Sequence, residues 1–211
     1  MIWVRSPDFL YLSSLCIYMS SFYDLATARH YPDIVARILQ GDLVLYPTDT
    51  LRGIGAIVTQ ISVDRIKKLK SRPWDKLFMS IIAPWWDWIK QYGDHVDCDL
   101  LRQQWTQYQG TTFIIPLQEP LASYYQSIGM TANHTIGARI CDHPIQDIVN
   151  RLWQPLISTS ANRSGESNPL TYDAINPLII QGVDIHLIGD LLYGKPSTLI
   201  NTITGEVITR S

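Results

Sequence analysis

Ser62-Val63-Asp64-Arg65-Ile66-Lys67-Lys68-Leu69-Lys70-Ser71-Arg72-Pro73-Trp74-Asp75-Lys76-Leu77-Phe78-Met79-Ser80-Ile81-Ile82 joins two kinds of periodicity across one proline. Val63, Ile66 and Leu69 recur on one face, while Lys67, Lys68 and Lys70 point elsewhere, which predicts a helix with Ser62 as N-cap and Pro73 as terminator. The apolar run over residues 77–82 predicts a buried strand. Six of the chain's 17 Lys and Arg fall between Arg65 and Lys76, at the junction of helix end and strand start. A solvated helix face is the plain reading of such charge. Against it, Arg72 and Lys76 straddle the proline turn, and they offer a planar fork and a point charge to one anion.

Outward from this unit, helices and strands alternate. Ile34, Val35, Ile38 and Leu39 mark a helix over residues 32–40 that Gly41 closes. Strands are predicted at residues 43–46, 111–117, 135–140, 155–157 and 185–188, and helices at 85–92, 100–108, 144–153 and 172–182. The aromatic residues of 85–92 and 100–108 read as core. Residues 195–201 read as a turn, and 117–133 as a loop able to close over a site. Several strand-to-strand connections are too short for a helix. The fold class is therefore α/β (α+β): one twisted, mixed parallel and antiparallel sheet flanked by helices.

Two further loops follow apolar strands. Pro47-Thr48-Asp49-Thr50-Leu51-Arg52-Gly53-Ile54-Gly55 combines hydroxyls, a carboxylate and glycines, and reads equally as a capped turn or as a wall for a small polar ligand. Ser158-Thr159-Ser160-Ala161-Asn162-Arg163-Ser164-Gly165 is the most polar loop of the chain. No GxSxG and no neighbouring base make a nucleophile of its hydroxyls, which suit phosphate oxygens or an amino acid instead. Arg139, at the end of a strand of small residues, is a candidate partner for a carboxylate.

Composition narrows the classes. With 211 residues, 17% charged and 46% hydrophobic, the chain is globular, and one domain accounts for its length. A net charge of −2 provides no global field for nucleic acid, so any RNA contact needs a local patch. Cys16, Cys98 and Cys141 are odd in number and widely spaced, which points to a reducing, cytoplasmic setting. Neither they nor the five histidines form a metal motif. Residues 9–19 are too short and too serine-interrupted to span a bilayer. Residues 1–18 read as an extension or start-site artefact ahead of Met19, and residues 19–211 as the domain, entered through a short lead at 19–22.

The ordered set Pro47-Thr48-Asp49-Thr50 with Gly53-Ile54-Gly55, Leu69 through Lys76, Ala138-Arg139-Ile140-Cys141-Asp142-His143-Pro144, the 158–165 loop and Pro196-Ser197-Thr198 resembles the YrdC family of threonylcarbamoyl-AMP synthases, in the short, single-domain form. The resemblance runs from about residue 43 to 210, and its hallmark pairs are Lys70/Arg72 and Ser160/Asn162. It implies that L-threonine, bicarbonate and ATP are converted to L-threonylcarbamoyladenylate and pyrophosphate. A separate complex would then transfer the product to adenosine 37 of tRNA. By motif, Lys70 and Arg72 are the catalytic cations. Arg72, Lys76, Thr135, Ser160, Asn162, Asn168, Ser197 and Arg210 take ATP, with Mg2+ accompanying it. Thr50, Arg139, Ser158 and Thr159 take L-threonine, Arg139 through its carboxylate. No membrane partner is implied, and a tRNA or RNA contact is left open.

Departures from the family pattern keep two alternatives: a non-catalytic nucleotide- or RNA-binding paralogue, and carbamoyl transfer to a different acceptor. Arg52 stands where the family has an aromatic, adding charge to the pocket mouth. Residues 108–112 lack both prolines of the corresponding family loop, and Cys141, Asn168 and Asn201 replace residues common there.

Overall fold

The computed structural model describes residues 20–73, 80–108 and 110–210. The proposed 1–18 extension, Lys76 and residues 77–79 of the 77–82 strand prediction lie outside the described residues, and residues 80–82 form a strand as expected. The fold begins with β1 (Ser21–Asp24), which pairs in parallel with β8 (Ile185–Ile188). The sequence reads residues 19–22 only as a lead. Extended backbone at this edge is held by its neighbour rather than by local pattern.

A short 3-10 turn leads into α1 (Tyr31–Leu39), closed by Gly41 at φ +99°. Ile34 and Ile38 are its buried face, whereas Leu39 is exposed. Then come β2 (Val44–Tyr46), β3 (Gly53–Gly55) and α2 (Gln60–Leu69). Thr59, not Ser62, caps α2: its Oγ1 accepts from the Ser62 N–H at 3.1 Å, the bond that satisfies an orphan first-turn donor. The helix also stops before Pro73, at a cap on Lys70, because Ser71 takes a left-handed conformation at φ +47°.

The chain continues through β4 (Ser80–Ile82), α3 (Trp86–Tyr92), α4 (Cys98–Gln107), β5 (Thr111–Pro116), α5 (Leu121–Ser127) and β6 (Thr135–Arg139). Next are α6 (Ile145–Leu152), β7 (Leu156–Ser160), α7 (Pro177–Gly182), the β8 strand, β9 (Thr198–Asn201) and β10 (Val207–Ile208). Three expectations change. Residues 117–133 are not a bare loop: α5 buries Ala122 and Tyr125, and the following turn buries Ile128 and Met130. The 195–201 turn gives way to a strand, because Thr198 to Asn201 run parallel to β5. The 172–182 helix shortens to α7, started by Asn176, whose side chain accepts from the Leu178 N–H.

The strands form one mixed sheet in the order β1-β8-β2-β3-β7-β4-β6-β5-β9-β10. Pairings β4·β6, β2·β8 and β5·β9 are parallel, while β2·β3, β3·β7, β4·β7 and β5·β6 are antiparallel. Strand alternation feeds two cores. Leu45 and Ile81 face the layer of α2, α3, α4, α5 and α7, while Val44, Tyr46 and Ile82 face α1 and α6. Each fully buried Ile or Leu contributes about 1.5–3 kcal/mol. Trp88 is buried in the first layer, and Trp86 packs edge-on to Trp105, so these aromatics are core.

Candidate functional site

The polar ends of β2, β3, β6 and β7 meet around an open cavity of about 450 Å³. Its wall includes Thr48, Thr50 and Arg52 from the β2–β3 connection, Arg72 from the turn after α2, and Arg139 from the end of β6. Ser158, Thr159 and Ser160 come from β7, which extends through these residues where the sequence predicts a loop. Asn168, Ser197 and Arg210 complete the ring, together with Ser80, Thr112 and Pro196, which the sequence reading did not name as binding residues. Ser80 and Thr112 sit on strands whose apolar neighbours mask them as ordinary strand polar residues.

The β2–β3 connection is both a capped turn and a wall. Thr48 Oγ1 accepts from the Thr50 and Leu51 N–H groups at 3.0 and 3.1 Å and donates to the Leu51 carbonyl at 2.7 Å. This self-contained turn holds Asp49 and Thr50 against Arg139, whose guanidinium donates to Thr50 Oγ1 at 2.7 Å and to the Asp49 carboxylate. Both members of the pair are buried. The terminal nitrogens of Arg139 thus already meet partners of the same chain, whereas its Nε is buried without one.

On the opposite side, Lys70 reaches the other hallmark pair. Its ammonium donates to the Ser160 and Asn162 carbonyls and, at 3.3 Å, to Asn162 Oδ1. Ser160 Oγ also donates to Asn162 Oδ1, Ser164 N–H donates to the Lys70 carbonyl at 2.9 Å, and Arg163 donates to Ser71. Lys70 and Asn162 therefore tie the end of α2 to the end of β7 and do not line the cavity, while Arg72 and Ser160 do. Burial, with the Arg72 cation beside it, pushes the Lys70 pKa down to about 7.

At the third side, Arg210 donates to the Ser197 carbonyl at 2.9 Å and to Ser197 Oγ at 2.6 Å, and that hydroxyl lies 2.8 Å from Thr112 Oγ1. Gly110 comes so close here that a Cβ would sit 2.2 Å from Thr50 Cγ2, and its φ of +62° suits glycine. Thr135 does not join the group. It lies at the start of β6, the opposite end from Arg139, and lines a separate cleft with His134, Glu119 and Ile203.

Among the described residues, four arginines and no carboxylate appear in the cavity wall. Burial lowers the pKa of Arg52, Arg72 and Arg210, and Arg139 adds to the effect at Arg210. Desolvated guanidiniums crowded in one open cavity favour a polyanionic ligand. Among the described residues no three His, Cys, Asp or Glu group as metal ligands, and no helix is long and apolar enough to cross a membrane.

A family model described as Sua5/YciO/YrdC, telomere recombination, matches residues 36–211. The chain belongs to this family. Among solved structures, a variant of P. abyssi Sua5 superposes with a TM-score of 0.75 at 21% identity, over 87% of this chain and 57% of that one. E. coli YciO gives 0.73 at 22% identity, over 90% and 94%. P. abyssi Sua5 complexed with L-threonine gives 0.70 at 22% identity, over 84% and 52%. The chain spans little more than half the length of the Sua5 chains, and at these identities the likeness is one of fold.

Proposed function

We propose that the chain is an L-threonylcarbamoyladenylate synthase acting on L-threonine, bicarbonate and ATP. The observation that carries this reading is one cavity holding Arg72, Ser160, Asn168, Ser197 and Arg210 together with Thr50, Arg139, Ser158 and Thr159. The first set offers cations and donors for a triphosphate, and the second frames a small amino acid. The Sua5 complex with L-threonine supports threonine as the amino acid.

Threonine's amine adds to bicarbonate with loss of water, giving a carbamate. A carbamate oxygen then forms a bond to the α-phosphorus of ATP as the bond to the bridging β-oxygen breaks, and pyrophosphate leaves with that electron pair. No protein nucleophile takes part. What the site supplies is proximity of two anions and compensation of charge on the phosphates. Mg2+ would arrive with the triphosphate and compensate phosphate charge, since among the described residues the wall offers hydroxyls and no carboxylate. Lys70 acts by positioning the Ser160 loop, and Arg72 faces the phosphates. Lys76 belongs to the phosphate set on the sequence resemblance. Transfer to tRNA falls to a separate complex.

The test is pyrophosphate release by purified protein with each substrate omitted in turn. Release that needs L-threonine, bicarbonate and ATP together supports the synthase. Release without an amino acid, or none with folded, ATP-bound protein, overturns it.

A further inference from the structure

Arg52 lines the cavity, is nine-tenths buried, and differs from the other cations in what faces it. Lys70 meets three oxygens, Arg139 meets Asp49 and Thr50, and Arg210 meets both polar groups of Ser197. Arg52 donates once, to the Gly189 carbonyl at 3.2 Å, and its buried Nε has no partner. No described carboxylate lies within salt-bridge distance of it. Asp190 acts on it only through space. A buried guanidinium without a counter-ion is costly, and the cost is recovered when an anion enters beside it.

The sequence around Arg52 explains why it stays there. Its carbonyl accepts from the Ala161 N–H at 2.9 Å, and Gly53 pairs with Ser160 in the ladder, so the backbone at residue 52 is stitched to β7. The side chain leaves this fixed point next to Thr50 and Ser158 on the cavity wall. On that side of the cavity the other arginine, Arg139, also has a buried Nε without a partner, but Asp49 offsets its charge.

We propose that Arg52 is a second cation, beside Arg139, that recognises a carboxylate of the amine-bearing substrate, the α-carboxylate or a side-chain carboxylate. This assignment rests on the reading of the cavity as an amino acid and nucleotide site. It makes Arg52 a specificity-determining residue: a substrate lacking the carboxylate leaves a desolvated cation facing nothing, and such a mismatch discriminates strongly.

The experiment compares the wild type with Arg52→Met, Arg52→Lys and Arg52→Tyr on three amines: L-threonine, L-threoninamide and L-aspartate. Two readouts are taken. One is the amine and ATP concentrations that half-saturate pyrophosphate release, and the other is calorimetric binding of each amine to ATP-bound protein. Arg52→Met is expected to raise the half-saturating concentration of the carboxylate substrate about 10- to 100-fold, as for loss of one charge-assisted contact, with ATP changing less than about 3-fold. Arg52→Lys should recover part of the loss. Wild-type preference for threonine over threoninamide that collapses in Arg52→Met assigns the α-carboxylate. Preference for aspartate over threonine that collapses in the same variant assigns a side-chain carboxylate. Equal losses for threonine and threoninamide with no aspartate preference, or an unchanged requirement in Arg52→Met and Arg52→Tyr, overturns the proposal. Absence of pyrophosphate release with every amine counts against the synthase alone. Calorimetry then decides on Arg52: binding lost in Arg52→Met supports its role, and binding unchanged, or absent in the wild type, overturns it.

Discussion

The two walls of the cavity use positive charge in opposite ways. On the wall between α2 and β7, Lys70 turns inward to the Ser160 and Asn162 oxygens and locks a loop. On the wall between β3 and β6, Arg139 is matched by Asp49, and Arg52 beside it meets no carboxylate among the described residues. Cations matched by their own chain hold the shape of the site, and those left with unmatched charge are where a ligand anion gains most. The comparison separates residues whose loss lowers stability from residues whose loss lowers affinity.

The sharpest way to break this division is Asp49→Ala. It leaves Arg139 buried without its carboxylate and is expected to cost about 3–5 kcal/mol in urea unfolding. The double variant Asp49→Ala/Arg139→Met should lose clearly less than the sum of the singles, as residues in one ion pair do. Additive losses would mean that the pair is not the unit described. Arg72→Ala probes the phosphate side of the cavity: it should lower kcat/KM for ATP by about 1.5–3 kcal/mol through a lost phosphate contact, and the urea midpoint of the same variant reads what the side chain adds to the fold. A drop in stability without an ATP effect would move Arg72 to the structural side.

A smaller effect tests the junction between the walls. Gly110→Ala places a methyl against Thr50 and strains a left-handed residue, so a loss of about 1–3 kcal/mol is expected. Thr50→Ser in the same chain removes the clashing Cγ2 and should recover part of it. The subtlest test is the pH dependence at Lys70. Its pKa is lowered from the ordinary lysine value to about 7, so between that pH and the ordinary range the unfolded chain holds a proton that the folded chain releases. Stability of the wild type relative to Lys70→Met should therefore rise with pH across that window. A falling difference would mean that the three surrounding oxygens outweigh burial and keep the ammonium charged.

Much of this architecture was legible residue by residue. The periodicity of Val63, Ile66 and Leu69 marks α2, the face of Ile145, Ile148, Val149 and Leu152 marks α6, and Gly41 ends α1 where expected. The polar loops after strands mark most of the cavity wall, because their hydroxyls and small residues lie where buried strands reach the surface. The missed strands are held by their neighbours. β1, β3 and β9 pair with β8, β7 and β5, which are distant in sequence, and β10 pairs back onto β9. Ser62 resembled a cap because composition cannot tell which of two nearby hydroxyls faces the open N–H groups.

The sequence by itself determined the mixed α/β class, the family and the clustering of Lys and Arg around Pro73. Only the tertiary structure decided which cations are matched. Asp49 and Arg139 stand 90 residues apart, Lys70 and Ser160 also 90. Charge compensation depends on distance in space and on removal from water, neither of which local spacing contains. Arg52 and Lys70 are both basic residues beside an apolar strand or helix in the sequence. The fold surrounds one with oxygens and leaves the other facing the cavity.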